Sequence, residues 1–166
     1  MKIRRLEDFD CKDLHEIYSF TSVSENTSQL PFLSSAHVAG LFSDSEHYTL
    51  VAEIEGKVVG HVTLFLTGKV RERHCASIAI AVHPNSQGTG VGKSLMIEAL
   101  SQADNWLNLV RVELEVHSDN LSAASLYEKV GFEKEGIKRL STFKNGRYID
   151  MLIMSRLHPT YPTSIE

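Results

Sequence analysis

The stretch VHPNSQGTGVGKS, residues 82 to 94, places glycines at 88, 90 and 92 and a lysine at 93 directly ahead of an apolar-periodic segment. Glycines at that density free the backbone for a tight turn, and a helix opening from such a turn presents unpaired N–H groups and the positive end of its dipole. That is an anion site, to which Lys93 adds a full charge. Each charge interaction at a helix terminus contributes only about 0.3 to 1 kcal/mol, so useful affinity calls for a ligand that several donors can grip. Glycines that serve the turn alone are the competing reading. Two phosphate loops come close without matching. A Walker A loop, G-x-x-x-x-G-K-[ST], needs glycine where Gln87 stands. A dinucleotide fingerprint, G-x-G-x-x-G, begins well at Gly88-Thr89-Gly90 but ends on Lys93, whose side chain would separate helix from strand. GVGKS leaves a P-loop NTPase as a distant alternative, without a clear Walker B strand.

A second constellation lies in LEVHSDNLSAASLYEKVGF, residues 114 to 132, where a strand runs directly into a helix. Asn120 and Tyr127 are seven residues apart, so two helical turns set them on one stripe about 10 Å long at about 1.5 Å per residue. Such a stripe can follow an extended ligand arm. Taken alone, Asn120 reads as an N-cap and Tyr127 as a half-buried core aromatic. His74, Glu115 and His117 are nearby candidates for taking a proton, and histidine, with an ordinary pKa near 6.5, acts at physiological pH. Each also reads as an ordinary surface residue.

These residues need a scaffold, and the chain predicts one of alternating strands and helices. KIRRL is a short strand, followed by a helix from an Asp10 cap to about Phe20 with Leu14, Ile17 and Tyr18 on one face. Residues 21 to 34 read as a polar loop and 35 to 42 as a short helix. YTLVAEIE and KVVGHVTLFL form a hairpin about Gly56, and HCASIAIAV (74 to 82) is a buried strand. A helix then begins near Gly90, with Val91, Leu95, Met96, Ala99 and Ala103 on one side; VRVELEV (110 to 116) is a strand. The next helix carries Ala123, Leu126, Tyr127 and Val130 and stops at Gly131. KRLSTFK and RYIDMLIMSRL flank Asn145-Gly146, a type I′ hairpin signal. The expected class is α/β (α+β): a mixed, mostly antiparallel central sheet of about seven strands with helices on both faces. One domain spans residues 1 to 158, and 159 to 166 form a frayed tail.

Composition narrows the function classes. With 166 residues and 42% apolar content the chain suits one folded domain. No run of about 20 apolar residues is present and the N-terminus has no apolar signal stretch, which predicts a cytoplasmic protein without a membrane partner. The net charge of −4 argues against nucleic acid. Cys11 and Cys75 lack CxxC pairing and the eight histidines are dispersed, so no metal is expected. The charge is unevenly spread. Residues 13 to 56 hold no Lys or Arg but seven carboxylates, so a total of −4 leaves +3 elsewhere. One portion suits a cation and the other an anion.

The two constellations together resemble the GCN5-related N-acetyltransferase superfamily. Its acetyl-CoA signature, [RQ]-x-x-G-x-[GA], is met by Gln87, Gly90 and Gly92, and its later pattern N-x-x-A-x-x-L/Y-x-x-x-G-F by Asn120, Ala123, Tyr127, Gly131 and Phe132 with small variations. The order of elements matches over nearly the whole chain, with residues 21 to 47 least diagnostic. The resemblance implies acetyl-CoA as co-substrate, its diphosphate on the loop of Gln87, Gly88, Thr89, Gly90, Val91, Gly92 and Lys93. It implies pantetheine beside the backbone of Ile80 and Val82 and against Asn120 and Ala123, and Tyr127 near the sulfur as general acid. It further implies a primary amine as acceptor, attacking directly. Many members place a carboxylate base on the strand that here reads HCASIAIAV and has none; His117 is the named candidate, with a water chain as default. Leu30 and Phe32 could wall the acceptor or pack the core. FKNGRYIDMLIMSRL resembles members that acetylate free amino acids or small amines, so the expected acceptor is an amino acid or related amine. A protein N-terminus, a polyamine and a catalytically silent acyl-CoA sensor stay open, as does a homodimer.

Overall fold

The computed structural model describes residues 1–161. The chain follows β1 (Lys2–Arg5), α1 (Cys11–Ser19), α2 (Thr21–Ser24), α3 (Ser35–Leu41), β2 (Tyr48–Ile54), β3 (Lys57–Leu66), β4 (Cys75–Val82), α4 (Val91–Asn105), β5 (Arg111–His117), α5 (Leu121–Lys129), β6 (Glu133–Lys144) and β7 (Arg147–Leu157). The seven strands hydrogen-bond in the order β1-β2-β3-β4-β5-β7-β6. β4 and β5 run parallel, while β1/β2, β2/β3, β5/β7 and β6/β7 are antiparallel. This is the mixed, mainly antiparallel α/β sheet that the sequence predicts. Among the described residues no helix is long and apolar enough to cross a membrane.

Two compact units divide the chain, one holding residues 1–65 with 79–99 and the other 66–78 with 100 onward. The first has a core of Leu14, Ile17 and Tyr18 from α1, Val23, Val38, Val51, Val58 and Ala81. The α1 residues recur at helical spacing, so one face is apolar; beside it, Asp13 accepts the N–H of Val58 at 2.8 Å and Glu16 meets Lys57 at 2.7 Å. Gly60 of β3 lies hard against β4: a Cβ there would stand 3.1 Å from Ala81 O and 3.3 Å from Leu95 and Val82 side-chain atoms.

Several local expectations change. Asp10 makes no side-chain cap for α1. Its carboxylate, 3% exposed, is gripped by both terminal nitrogens of Arg4 at 2.7 and 2.8 Å and by the Glu7 N–H at 2.9 Å. Burial alone would raise the carboxyl; these donors hold it below the ordinary range. Residues 21 to 34 are not all loop, because α2 makes one helical turn there. β4 is not uniformly buried: Ala76 and Ile78 are covered while Ser77 and Ala79 are exposed.

In the second unit Arg156 pairs with Asp104 through two bonds of 2.9 and 2.7 Å, and Arg111 with Glu135 through two of 2.8 and 2.6 Å. Arg111, with help from Ser155, holds the Glu135 carboxyl down to about 2. The final hairpin turns through Asn145 at φ 51° and Gly146 at φ 77°, as a type I′ turn requires. β6 is longer and less regular than KRLSTFK suggests: its register slips between Lys138 and Thr142, where Leu140, at φ 51°, donates its N–H to Asp150 at 2.8 Å. Residues 159–161 close a turn, Tyr161 N–H meeting His158 O at 3.0 Å; the rest of the expected tail, 162–166, lies outside the described residues.

Candidate active site

The glycine-rich loop is built by short-range bonds. His83 is tied to β3 by its N–H to Val59 O at 2.8 Å, and its own carbonyl accepts the Ser86 N–H at 2.8 Å, closing a single 3-10 turn over Pro84–Ser86. Gln87 returns its side-chain amide to Val82 O at 3.0 Å, and Thr89 Oγ1 donates to Ser86 O at 2.7 Å. Gly88 and Gly90 take φ of 73° and 91° with open space where a Cβ would stand, so glycine is needed for backbone conformation and not for room.

The chain then enters α4, whose first helical bond runs from Ser94 N–H to Gly90 O at 3.0 Å. The amides of Val91, Gly92 and Lys93 precede that bond and have no acceptor within the helix. Three adjacent donors at the positive end of a 15-residue helix, with the exposed Lys93 beside them, form an anion cradle. Val91 itself is 2% exposed, so it can contribute its N–H and anchor the helix start, but not its side chain. Ile80 and Val82 are half-buried at the end of β4, and the Val82 carbonyl is already engaged by Gln87.

In the other unit, Asn120 caps α5. Its Oδ1 accepts the Ala123 N–H at 3.2 Å and the Ser122 hydroxyl at 3.1 Å, which leaves its NH2 as the group able to donate elsewhere. Ala123 is half-buried. Tyr127 is 8% exposed, and burial pushes its phenol up to about 12. It therefore stays protonated throughout the neutral and mildly alkaline range. The helix end fixes the ring: Phe132 N–H reaches back to Tyr127 O at 3.0 Å and Gly131 N–H to Glu128 O at 3.1 Å, with Gly131 at φ 96°. These two bonds make a Schellman motif, and its apolar contact is the Tyr127 ring against Phe132 at 5.9 Å.

The candidate bases fall in different settings. His117 closes β5 and is 4% exposed. His74 is exposed, and Glu115 is taken by Lys138. Leu30 and Phe32 do not pack the core: they are 76% and 100% exposed, and Phe32 adopts φ 62°, an uncommon state for an aromatic residue.

Three features escape sequence reading. The His83 ring accepts a loop amide, described below. Tyr18 Oη and His61 Nε2 meet at 2.9 Å inside the first unit, and burial lowers the His61 imidazole to about 4. Asp119, just before the α5 cap, binds Lys144 at 2.9 Å and stands 3.6 Å from Arg147, which lowers its pKa and ties the turn to the last hairpin. None of these pairings has a local sequence signal. Among the described residues no group of three His, Cys, Asp or Glu side chains is placed to hold a metal ion.

Comparison with known proteins finds acetyltransferases. The model of the acetyltransferase (GNAT) family matches residues 9–132. The L-amino acid N-acetyltransferase AaaT of Escherichia coli K12 is 36% identical over 156 residues, covering 93% of this chain and 96% of that protein. The spermidine N(1)-acetyltransferase of Vibrio cholerae is 28% identical, covering 97% and 95%. Among solved structures, a GNAT superfamily phosphinothricin acetyltransferase from Sinorhizobium meliloti, in complex with AcCoA, is similar with a TM-score of 0.86 and 25% identity over 98% of this chain and 93% of that one.

Proposed function

The chain belongs to the acetyltransferase (GNAT) family, and on that premise we propose that it transfers the acetyl group of acetyl-CoA to the primary amine of an amino acid or related small molecule. The observation that carries this reading is the cradle of Val91, Gly92 and Lys93 amides behind two left-handed glycines, a site that suits a diphosphate. The 36% identity to an L-amino acid N-acetyltransferase supports the acceptor class. Residues 1 to 158 act as one catalytic domain in this reading.

In the reaction a neutral amine attacks the thioester carbonyl, and the C–S bond breaks as the N–C bond forms. Loop amides and Lys93 hold the diphosphate, the backbone of Ile80 and Val82 lies along the pantetheine arm, and Asn120 donates to one of its amides. Tyr127 gives its proton to the departing sulfur, whose free thiol has a pKa of about 8.5. A buried phenol near 12 cannot persist as phenolate at neutral pH, so that proton must be replaced within the turnover. The attacking nitrogen sheds one as it becomes an amide, which balances the exchange. His117, in the same unit as Tyr127, is the residue assigned to relay it through water. Leu30 and Phe32, apolar and exposed, are the side chains assigned to the acceptor's apolar part.

A polyamine acceptor is the second reading, favoured by the similarity to a spermidine N(1)-acetyltransferase and by the Lys- and Arg-free segment 13 to 56 with its seven carboxylates. Thiol release from acetyl-CoA across a panel of amino acids, polyamines and N-terminal peptides separates these. Preference for amino acids is expected. Turnover confined to spermidine or to peptides would overturn the acceptor assignment, and no thiol release with any amine would overturn the activity.

A further inference from the structure

We propose that His83 is a positioning residue for the diphosphate loop, its ring locked by Glu16 of α1 in the single tautomer that can cap that loop. The inference rests on the reading of residues 87 to 93 given above. The Asn85 N–H points at His83 Nδ1 from 3.2 Å. An amide donor is satisfied only by a bare ring nitrogen, so Nδ1 carries no proton and the neutral ring keeps its hydrogen on Nε2. That nitrogen stands 3.4 Å from Glu16 Oε1. A carboxylate can only accept, and Glu16 remains ionised because Lys57, bonded at 2.7 Å, lowers its pKa. The negative charge on one side and the amide on the other therefore select the same tautomer.

The ring is held from further directions. Phe20, which follows α1, meets it edge-on with centroids 4.8 Å apart, and the His83 backbone is pinned to Val59 of β3. From Asn85 the restraint passes along a chain of short-range bonds: the 3-10 turn to Ser86, then Ser86 O to the Thr89 hydroxyl at 2.7 Å, then Gly90 and the three open amides of α4. His83 makes none of the contacts assigned to the thioester end. Loss of its cap should therefore be felt in cofactor affinity and not in the chemical step.

The test compares wild type with His83→Ala, His83→Asn and Glu16→Gln, using calorimetric titration with acetyl-CoA, steady-state kinetics and long-range 1H–15N NMR of the imidazoles in protein without cofactor. His83→Ala should raise the acetyl-CoA Kd and KM by about 3- to 10-fold, the size of one hydrogen bond, with the change falling on KM and not on kcat. Asparagine, whose Oδ1 can accept the same amide two residues on, should recover most of the affinity. The NMR spectrum should show His83 protonated on Nε2 alone, and Glu16→Gln should admit the other tautomer and weaken acetyl-CoA binding. Wild-type affinity in His83→Ala, or a proton on Nδ1 in the wild type, overturns the proposal. If His83→Ala does not fold, Glu16→Gln decides it, with wild-type affinity and an unchanged tautomer as the refuting result. A wild-type protein that ignores acetyl-CoA overturns the diphosphate reading itself, whereas the tautomer measurement judges the His83 geometry separately.

Discussion

Replacing Tyr127 with phenylalanine removes one oxygen from the residue assigned to protonate the leaving sulfur and leaves the rest of its surroundings in place. The ring contact with Phe132 at 5.9 Å and the two backbone bonds that end α5 do not involve the hydroxyl. Stability should change by less than about 1 kcal/mol, the scale of a single net hydrogen bond. A positioned general acid contributes typically about 100- to 10,000-fold. Water can reach a group that is not wholly buried and can substitute in part, so a fall in kcat of roughly 10- to 1000-fold is expected, or about 1.4 to 4 kcal/mol in barrier. The acetyl-CoA KM should barely move, because none of the contacts proposed for the diphosphate involves this hydroxyl. Thiol release monitored at saturating amine measures this directly. With the phenol near 12, the wild-type rate should also show no alkaline decline from Tyr127 up to about pH 10. Undiminished turnover in Tyr127→Phe, with the expected melting temperature, would remove Tyr127 from the chemistry.

His61 makes stability pH-dependent in a defined direction. Its folded pKa is depressed to about 4, so the unfolded chain binds more protons between about pH 6.5 and 4 and stability is lost as pH falls through that window, by an order of magnitude of 3 kcal/mol. Urea melts at pH 7 and 5 should show the loss in wild type and a shallower one in His61→Gln; equal slopes would refute the assignment. Gly60→Ala forces a Cβ to within 3.1 Å of the Ala81 carbonyl and should destabilise the fold by about 1 to 3 kcal/mol in thermal melts, whereas an unchanged melting temperature would show that the strands can part without cost.

Features that a residue imposes on its own backbone were the legible ones. Gly88, Gly90, Gly131 and Gly146 all take left-handed φ where the sequence demanded a turn or a helix stop, and α4 starts one residue from its expected position. The succession of strands and helices along the chain and the two motif segments follow from the same local signals. What stayed hidden depends on partners far along the chain. Asp10 looks like a cap until Arg4 of β1 claims its carboxylate. Gly60 looks like a weak point in a strand until Ala81 and Leu95 come beside it. His83 looks like a loop residue until Glu16 and Asn85 bracket its ring. Leu140 carries no glycine or proline signal for the slip that Asp150 accommodates. Composition reports none of these pairings, since each is decided by register between elements.

The way α5 ends has its own consequence. Tyr127 stands three residues before the cap, and the bond that arrests the helix lands on its own carbonyl. The terminus thus works as a latch for the residue: the N–H groups of Val130 and Phe132 both land on the Tyr127 carbonyl, so strain introduced at Gly131 between them reaches the backbone that carries the ring, and the proton delivery proposed for Tyr127 would be mistuned from outside the contacts assigned to acetyl-CoA.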